Sequence, residues 1–442
     1  MEFGNTGSNL RDLICGANIE IPIIDGNHVR GINFDNAATT PAFQSVINEV
    51  MNFAPLYSSI HRGMGYKSQL SSNLYEQARF IIANFVSADL YHKTVIFTNN
   101  TTHAINKLSY SLLNNIKDGI ILTTQMEHHS NDLPWRGKYK VDFVSVDDEG
   151  NLSLEDLESK LSQYGGLVKL VAVTGASNVT GIVNPIHTIA TMAHKYGSKI
   201  LVDGAQLVPH SKVDMKPVDS PEHIDYLVFS SHKMYAPFGT GILIGWKDTF
   251  EAGDPDYVGG GTVEIVTPDY VRWDHAPFRE EAGSPNIFGV VALIAAIKTL
   301  NSLDIESIHY YEQQLTSYAQ NNIKNLPDVT IYGHQQFKEN RVAIVPFNVE
   351  GIHHETLSKI LSYEVGIAVR SGCFCAHPYV QKLLKVTPEE IEEHIKNRHS
   401  LIPGMVRLSF GLYNTIEEID FFTEILYKII KNKAHYIQKY ST

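Results

Sequence analysis

KILVDGAQ (Lys199 to Gln206) and YLVFSSHK (Tyr226 to Lys233) share one design: a short aliphatic run that ends in small and polar residues. A run of this length is too short for a helix and shows no strict alternation, as expected of a strand covered on both faces. TVIFT (Thr94 to Thr98), GIILTT (Gly119 to Thr124), VDFVSVD (Val141 to Asp147) and LVKLVAVTGAS (Leu167 to Ser177) repeat the design upstream. Helix-like stretches lie among them at Ser68 to Val86, at Leu154 to Gln163 after Ser153, and at His187 to Tyr196. A serine ahead of a first turn caps its free N–H groups. Strands alternating with helices predict an open, mainly parallel α/β sheet.

Further on the pattern changes. From about Pro285 a long helical segment, Ile287 to Leu303 and then Asp304 to Ile323, leads into RVAIVPFNV (Arg341 to Val349). A second region of strands and helices ends in Ile416 to Tyr440 and predicts a smaller α+β C-terminal domain. The expected division is an N-terminal segment over 1–35 packing with the small domain, a large domain over 36–290 and a small domain over 291–442. A chain of 442 residues with 43% hydrophobic content buries enough apolar surface to fold without staples.

The net charge of −12 comes from scattered acids and argues against nucleic acid as a partner. Three cysteines, Cys15, Cys373 and Cys375, are too few for a disulfide framework and fit a reducing, cytoplasmic setting. No basic and then apolar leader opens the sequence, and no run of some eighteen apolar residues predicts a membrane span.

In open parallel sheets, ligands gather outside the carboxyl ends of the strands. Three such ends carry polar groups: Asp203 and Gln206 in LVDGAQ, Ser230, His232 and Lys233 in FSSHKMYAPFGTG, and Thr101 and Thr102 in TNNTTHAIN. Each alone is weak, since a strand-end acid is as often structural and a lone lysine is usually a surface residue. Together they match the needs of pyridoxal phosphate: a lysine for the imine link, an acid facing the pyridinium nitrogen, and hydroxyls and N–H groups for the phosphate. Asp203 is expected to hold the ring nitrogen protonated, and Gln206 to donate to the phenolic oxygen. The paired threonines are expected to open a helix whose first turn favours a phosphate, with Ser230 and His232 closing the other side. His128 in QMEHHSN either stacks on the ring and moves protons or is, with His129, a plain loop histidine.

At this point the chain resembles the class V aminotransferase-fold enzymes, within them the group of SufS-type cysteine desulfurases and selenocysteine lyases. The similar segments run nearly end to end. They include NFDNAATT (Asn33 to Thr40), HRGMGYKS (His61 to Ser68), MEHHSNDLPW (Met126 to Trp135), SNVTGIVNP (Ser177 to Pro185), VDGAQLVPH (Val202 to His210), GGGTVE (Gly259 to Glu264), EAGSPN (Glu281 to Asn286), RSGCFCAHP (Arg370 to Pro378) and VRLSFGLYNTIEEID (Val406 to Asp420). The resemblance implies the fold type I of pyridoxal phosphate-dependent transferases, with a seven-stranded type of sheet. It also implies a homodimer with active sites at the subunit interface. It gives Ser284 the phosphate of the neighbouring subunit, and Arg407, assisted by Asn178, the substrate α-carboxylate. Arginine suits that task because it offers a carboxylate two parallel donors.

The resemblance also places the family's sulfur-accepting nucleophile on Cys375. It implies conversion of L-cysteine to L-alanine, with a persulfide on Cys375 for a protein or cofactor acceptor. Lys233 or His128 would take the α-proton. Where SufS-type enzymes commonly carry a His pair, this chain has Cys373 and Phe374, and CFC is similar to the corresponding loop of molybdenum cofactor sulfurases. An aminotransferase, a C–S lyase or a selenocysteine lyase that does not use Cys375 remains the alternative. No metal site is expected, because Cys15 is the only further soft ligand of that type and a structural zinc takes four. The role of Cys373 stays open, as does that of Gln381 to Pro403, an added helix for acceptor docking or inert surface.

Overall fold

The computed structural model describes residues 10–116, 118–333, 341–397 and 403–440. Its main sheet contains β1 (Lys93–Thr98), β2 (Ile120–Thr124), β3 (Lys140–Val144), β4 (Val168–Thr174), β5 (Lys199–Asp203), β6 (Tyr226–Ser230) and β7 (Gly241–Trp246). The order across the sheet is β1-β7-β6-β5-β4-β2-β3. All strands are parallel except β7, which runs antiparallel to β1 and β6. The link from β6 to β7 is too short to hold a crossover helix, so the chain has to reverse. Every residue of β1, β2 and β6 is buried, which accounts for the apolar run that each contains.

Of the helices that cover the sheet, all but the first begin within two residues of a start read from the sequence. α1 spans Gln44–Phe53, α2 Tyr66–Phe85, α3 Thr101–Ser111, α4 Leu154–Tyr164 and α5 Ile186–Lys195. Ser153 accepts the N–H of Asp156 and caps α4, while Asn100 accepts the N–H of His103 and caps α3. α6 (Ile287–Leu303) is apolar on nearly every face and packs against α1 and α2. Its buried residues from Ile287 to Leu300 belong to the large core, so residue 290 falls inside a helix of that core. α7 (Ile305–Ile323) then crosses to a second core.

That second core lies on a four-stranded antiparallel sheet of β8 (Val329–Ile331), β9 (Ile344–Val349), β10 (Arg370–Gly372) and β11 (Met405–Ser409), in the order β8-β9-β11-β10. α8 (His354–Val365) and α11 (Ile416–Lys431) cover it. Phe34 reaches it from near the N-terminus and meets Phe410 and Phe422 edge-on at 5.2 and 6.0 Å. Ile32–Asn33 pairs in parallel with Ile367–Ala368. Between β10 and β11 lie α9 (His377–Leu384) and α10 (Pro388–Lys396). α10 carries a Thr387–Glu390 capping box but buries none of its residues, and Ile395 is 75% exposed. Of the Gln381 to Pro403 segment, 398–402 lie outside the described residues. No single described helix is long and apolar enough to cross a membrane.

β7 is also held tightly to the helix cap. A Cβ on Gly241 would stand 2.5 Å from the backbone of Asn100. Gly241→Ala is therefore expected to cost about 1–3 kcal/mol of stability by overpacking. A urea unfolding midpoint equal to the wild type's would contradict this contact.

Candidate active site

The carboxyl ends of β1, β2, β4, β5 and β6 surround a cavity of about 270 Å³. It is lined by Thr101, Thr102, His128, Asn178, Asp203, Gln206, Ser230, His232, Lys233, Cys375 and Arg407, every residue expected at the site except Ser284. Ser284 lines a second cavity of the same chain, with Lys107, Asp256 and Glu280. The structure also adds residues that the sequence reading passed over: Asn100, Ser130, Arg370 and Phe374. Ser130 had a signal, its place two residues after His128. Arg370 and Phe374 stand in the quoted RSGCFCAHP loop.

Asp203 ends β5 at 4% exposure, with one oxygen accepting the N–H of Ala205 at 3.0 Å. Burial pushes its carboxyl up, against the pull of Lys233 and the Ala205 bond. Lys233, in the short turn after β6, is pushed down to about 8, first by burial and then by Arg407, against the pull of Asp203 and Cys375. Gln206 spends a side-chain N–H on the carbonyl of Ala37 at 2.7 Å, leaving its buried oxygen without a partner. A buried polar atom without a partner is costly, so such an atom facing a cavity is ready for a ligand.

His128 is fixed by its own loop. Its Nδ1 accepts the backbone N–H of Ser130 at 3.1 Å, so the neutral ring carries its proton on Nε2. Burial, together with the charges of Lys233, His129 and Arg407, pushes it down to about 3. The loop is stapled by Glu127, which accepts from Thr124 Oγ1 at 2.6 Å, the N–H of Thr174 at 2.9 Å and Asn131 Nδ2 at 2.7 Å. On the phosphate side expected from sequence, Thr101 Oγ1 pairs with Ser230 Oγ at 2.7 Å, and Thr102 Oγ1 with Ser130 Oγ at 2.7 Å. The N–H of Thr101 is also donated to Ser230 Oγ, at 2.8 Å. Burial and Lys233 push His232 down to about 4.

Arg407 projects from β11 and is 3% exposed, which removes a surface salt bridge as its explanation. It donates to the carbonyl of Asn178 at 2.8 Å and to Asp35 at 3.1 Å, its guanidinium lies 4.9 Å from the centre of the Phe374 ring, and its Nε has no partner. Phe374 and Cys375 both have left-handed backbones, with φ of 52° and 55°. That conformation costs roughly 1–2 kcal/mol per residue away from glycine, so the surroundings must hold it. They do so through the Phe374 carbonyl, which accepts Asn178 Nδ2 at 2.7 Å, and the Cys375 carbonyl, which accepts the N–H of His129 at 2.7 Å. Cys375 is exposed at the cavity while Cys373 is buried, its thiol 3.0 Å from the carbonyl of Pro403.

The chemistry of this lining fits a phosphorylated pyridine aldehyde: a buried acid for a ring nitrogen, a lysine of lowered basicity, hydroxyls at a helix start, and unpartnered polar atoms on Gln206 and Arg407. The sequence profile of the family described as Aminotransferase class-V matches residues 32–422. The chain belongs to that family. A probable cysteine desulfurase of Synechocystis is 35% identical over 90% of this chain and 91% of its own length. The cysteine desulfurase of Haloferax volcanii is 34% identical over 88% and 87%. Among solved structures, the apo cysteine desulfurase of Thermococcus onnurineus superposes with a TM-score of 0.81 at 33% identity, covering 91% of this chain and 95% of that one. The Escherichia coli cysteine desulfurase CsdA, in an S-sulfonic acid form, gives 0.79 at 26%, covering 96% and 98%. Both fold neighbours agree with the mainly parallel sheet of fold type I.

Burial, and next the charge of Cys375, push the Cys373 thiol up to about 11, so very little of it is thiolate near neutral pH. Iodoacetamide at pH 8 is therefore expected to alkylate Cys375 well before Cys373, read by mass spectrometry of the digested protein. Equal labelling would contradict the burial described.

Proposed function

We propose that the protein is a pyridoxal 5'-phosphate-dependent cysteine desulfurase. The reading rests on one observation above the others: the CFC loop delivers Cys375 into the same cavity as Lys233 and Asp203. Lys233 would carry the cofactor, Asp203 face its ring nitrogen, and Gln206 and His128 flank the ring. Thr101, Thr102, Ser230 and His232 would hold the phosphate, with Ser284 supplied to the neighbouring subunit of a homodimer. When bound, the cofactor supplies an electron sink that makes the substrate α-proton removable.

The remaining steps belong to side chains. Arg407, with its free Nε, and Asn178 would clamp the carboxylate of L-cysteine. Of the two candidate bases, Lys233 near 8 is far the stronger, while His128 near 3 stays neutral and offers a hydrogen bond from its Nε2–H. The Cys375 thiolate attacks the substrate sulfur, a new S–S bond forms, and the C–S bond breaks. Its electron pair stays with the β-carbon, which takes a proton, and the α-carbon takes back the proton it lost, so the products are L-alanine and a persulfide on Cys375. A protein or cofactor acceptor would then remove the sulfur, in a reducing cytoplasm. We keep the expected division as a proposal with two changes: α6 is assigned to the large unit, and of the N-terminal segment Ile14 and Ala17 pack in the large core while Ile32 and Phe34 pack in the small one.

Two variants test the reading. Cys375→Ser is expected to lose alanine and sulfide production from L-cysteine with dithiothreitol by at least about 100-fold, as for loss of a nucleophile, while keeping the cofactor's visible absorbance. Pyruvate without alanine, unaffected by the substitution, would make the protein a C–S lyase. Lys233→Ala is expected to lose both the absorbance band and turnover; a variant that keeps both would remove Lys233 from its assigned place.

A further inference from the structure

Phe374 stands directly before the proposed nucleophile, and no step of the proposed reaction uses its side chain. Its backbone is left-handed, with φ of 52°. Glycine adopts that conformation without steric penalty, whereas a side chain is strained by it. The phenyl ring is thus what makes the position costly. It is buried, it lines the cavity, and it belongs to an apolar cluster with Met126, Val179, Tyr379, Val380 and Met405.

Three contacts close a circuit around this residue. The Phe374 carbonyl accepts Asn178 Nδ2 at 2.7 Å, the Asn178 carbonyl accepts Arg407 Nη1 at 2.8 Å, and the Arg407 guanidinium lies over the Phe374 ring, 4.9 Å from its centre. The Phe374 carbonyl belongs to the peptide unit that supplies the N–H of Cys375. Turning that unit turns Cys375. The circuit therefore joins the group that would grip the substrate carboxylate to the residue that would take its sulfur.

The ring holds Arg407 in a way that hydrogen bonds do not. Nη1 is held by Asn178 at 2.8 Å and Nη2 by Asp35 at 3.1 Å. Two bonds leave a planar group free to tilt about the line between its acceptors, and Nε, off that line, is moved by the tilt. An aromatic face attracts a guanidinium within about 6 Å and takes none of its N–H groups. It removes the tilt and leaves Nε, which has no partner, for a ligand. Burial works against the charge and pushes Arg407 down to about 10, against the pull of Asp35. A contact that favours the charged form is worth more in such a place than at a surface.

We propose that Phe374 is a positioning residue: its ring sets the Arg407 guanidinium for the substrate carboxylate, and its carbonyl, held by Asn178, carries that setting to Cys375. The inference rests on the desulfurase reading, in which Arg407 grips the carboxylate of L-cysteine. Filling the apolar cluster would require only the shape of the ring. Setting Arg407 requires the negative charge of its face as well.

The test uses cofactor-loaded enzyme with phenylalanine bearing one, two or three ring fluorines at position 374. Fluorine draws negative charge from the face of the ring with little change of shape. L-alanine, titrated against the cofactor's visible absorbance, reads the carboxylate grip without a sulfur step. Its dissociation constant is expected to rise with each fluorine, to roughly three- to tenfold at the third, and Phe374→Leu is expected to lose at least as much. Persulfide formation on Cys375 in a single turnover is expected to slow in the same order, while the absorbance of the loaded enzyme before titration stays unchanged. An even L-alanine affinity across the fluorinated series, or a persulfide rate that does not follow it, would overturn the proposal. A wild type whose absorbance ignores L-alanine and which makes no alanine from L-cysteine would remove the desulfurase reading and this inference with it.

Discussion

The buried carboxylate of Asp203 beside the amine of Lys233 is the interaction around which the rest of the large unit is arranged. Asp203 is buried at the end of β5, and Lys233, half-buried, stands in the turn after the neighbouring strand β6. Burying such charges is expensive, and it is offset at Asp203 by the Ala205 N–H and by the positive charge of Lys233, both fixed by the sheet. The same burial moves Lys233 toward an amine that can accept a proton near neutral pH. A loose sheet would lose the pair and the reactivity together. The fully buried strands and the apolar helix α6 behind them therefore serve the site as much as stability.

The second unit contributes a different kind of constraint. Arg407 and the CFC loop come from β11 and the turn after β10, yet their bonds run to Asn178 and His129 of the large unit. Two residues with left-handed backbones are kept in place by these bonds, and the strain turns Cys375 toward the cavity while Cys373 faces inward. One loop thus holds two thiols with opposite characters. The difference follows from burial, because Cys373 is buried with the Pro403 carbonyl for its hydrogen.

Much of this was legible in the sequence, for a physical reason. Residues at the ends of buried strands are marked by an apolar run on one side, so Asp203, Gln206, Ser230 and Lys233 announce themselves, and Thr101 and Thr102 follow β1 in the same way. Ser130 and Glu127 were less visible, because their roles are to hold His128 and depend on distances that a loop sequence does not carry. The antiparallel turn of β7 is written only in the shortness of its link. Ser284 lies outside the cavity within one chain, so its assigned place depends on a second subunit.

The central claim is that Cys375 and the Lys233–Asp203 pocket act on one substrate molecule. It is tested most directly by a single turnover: enzyme mixed with less than one equivalent of L-cysteine, without reductant, then digested and weighed peptide by peptide. The account predicts one added sulfur atom on the peptide carrying Cys373 and Cys375, located on Cys375 by fragmentation, in an amount equal to the alanine released. Alanine formed with no sulfur on that peptide, or with the sulfur on Cys373 alone, would contradict it.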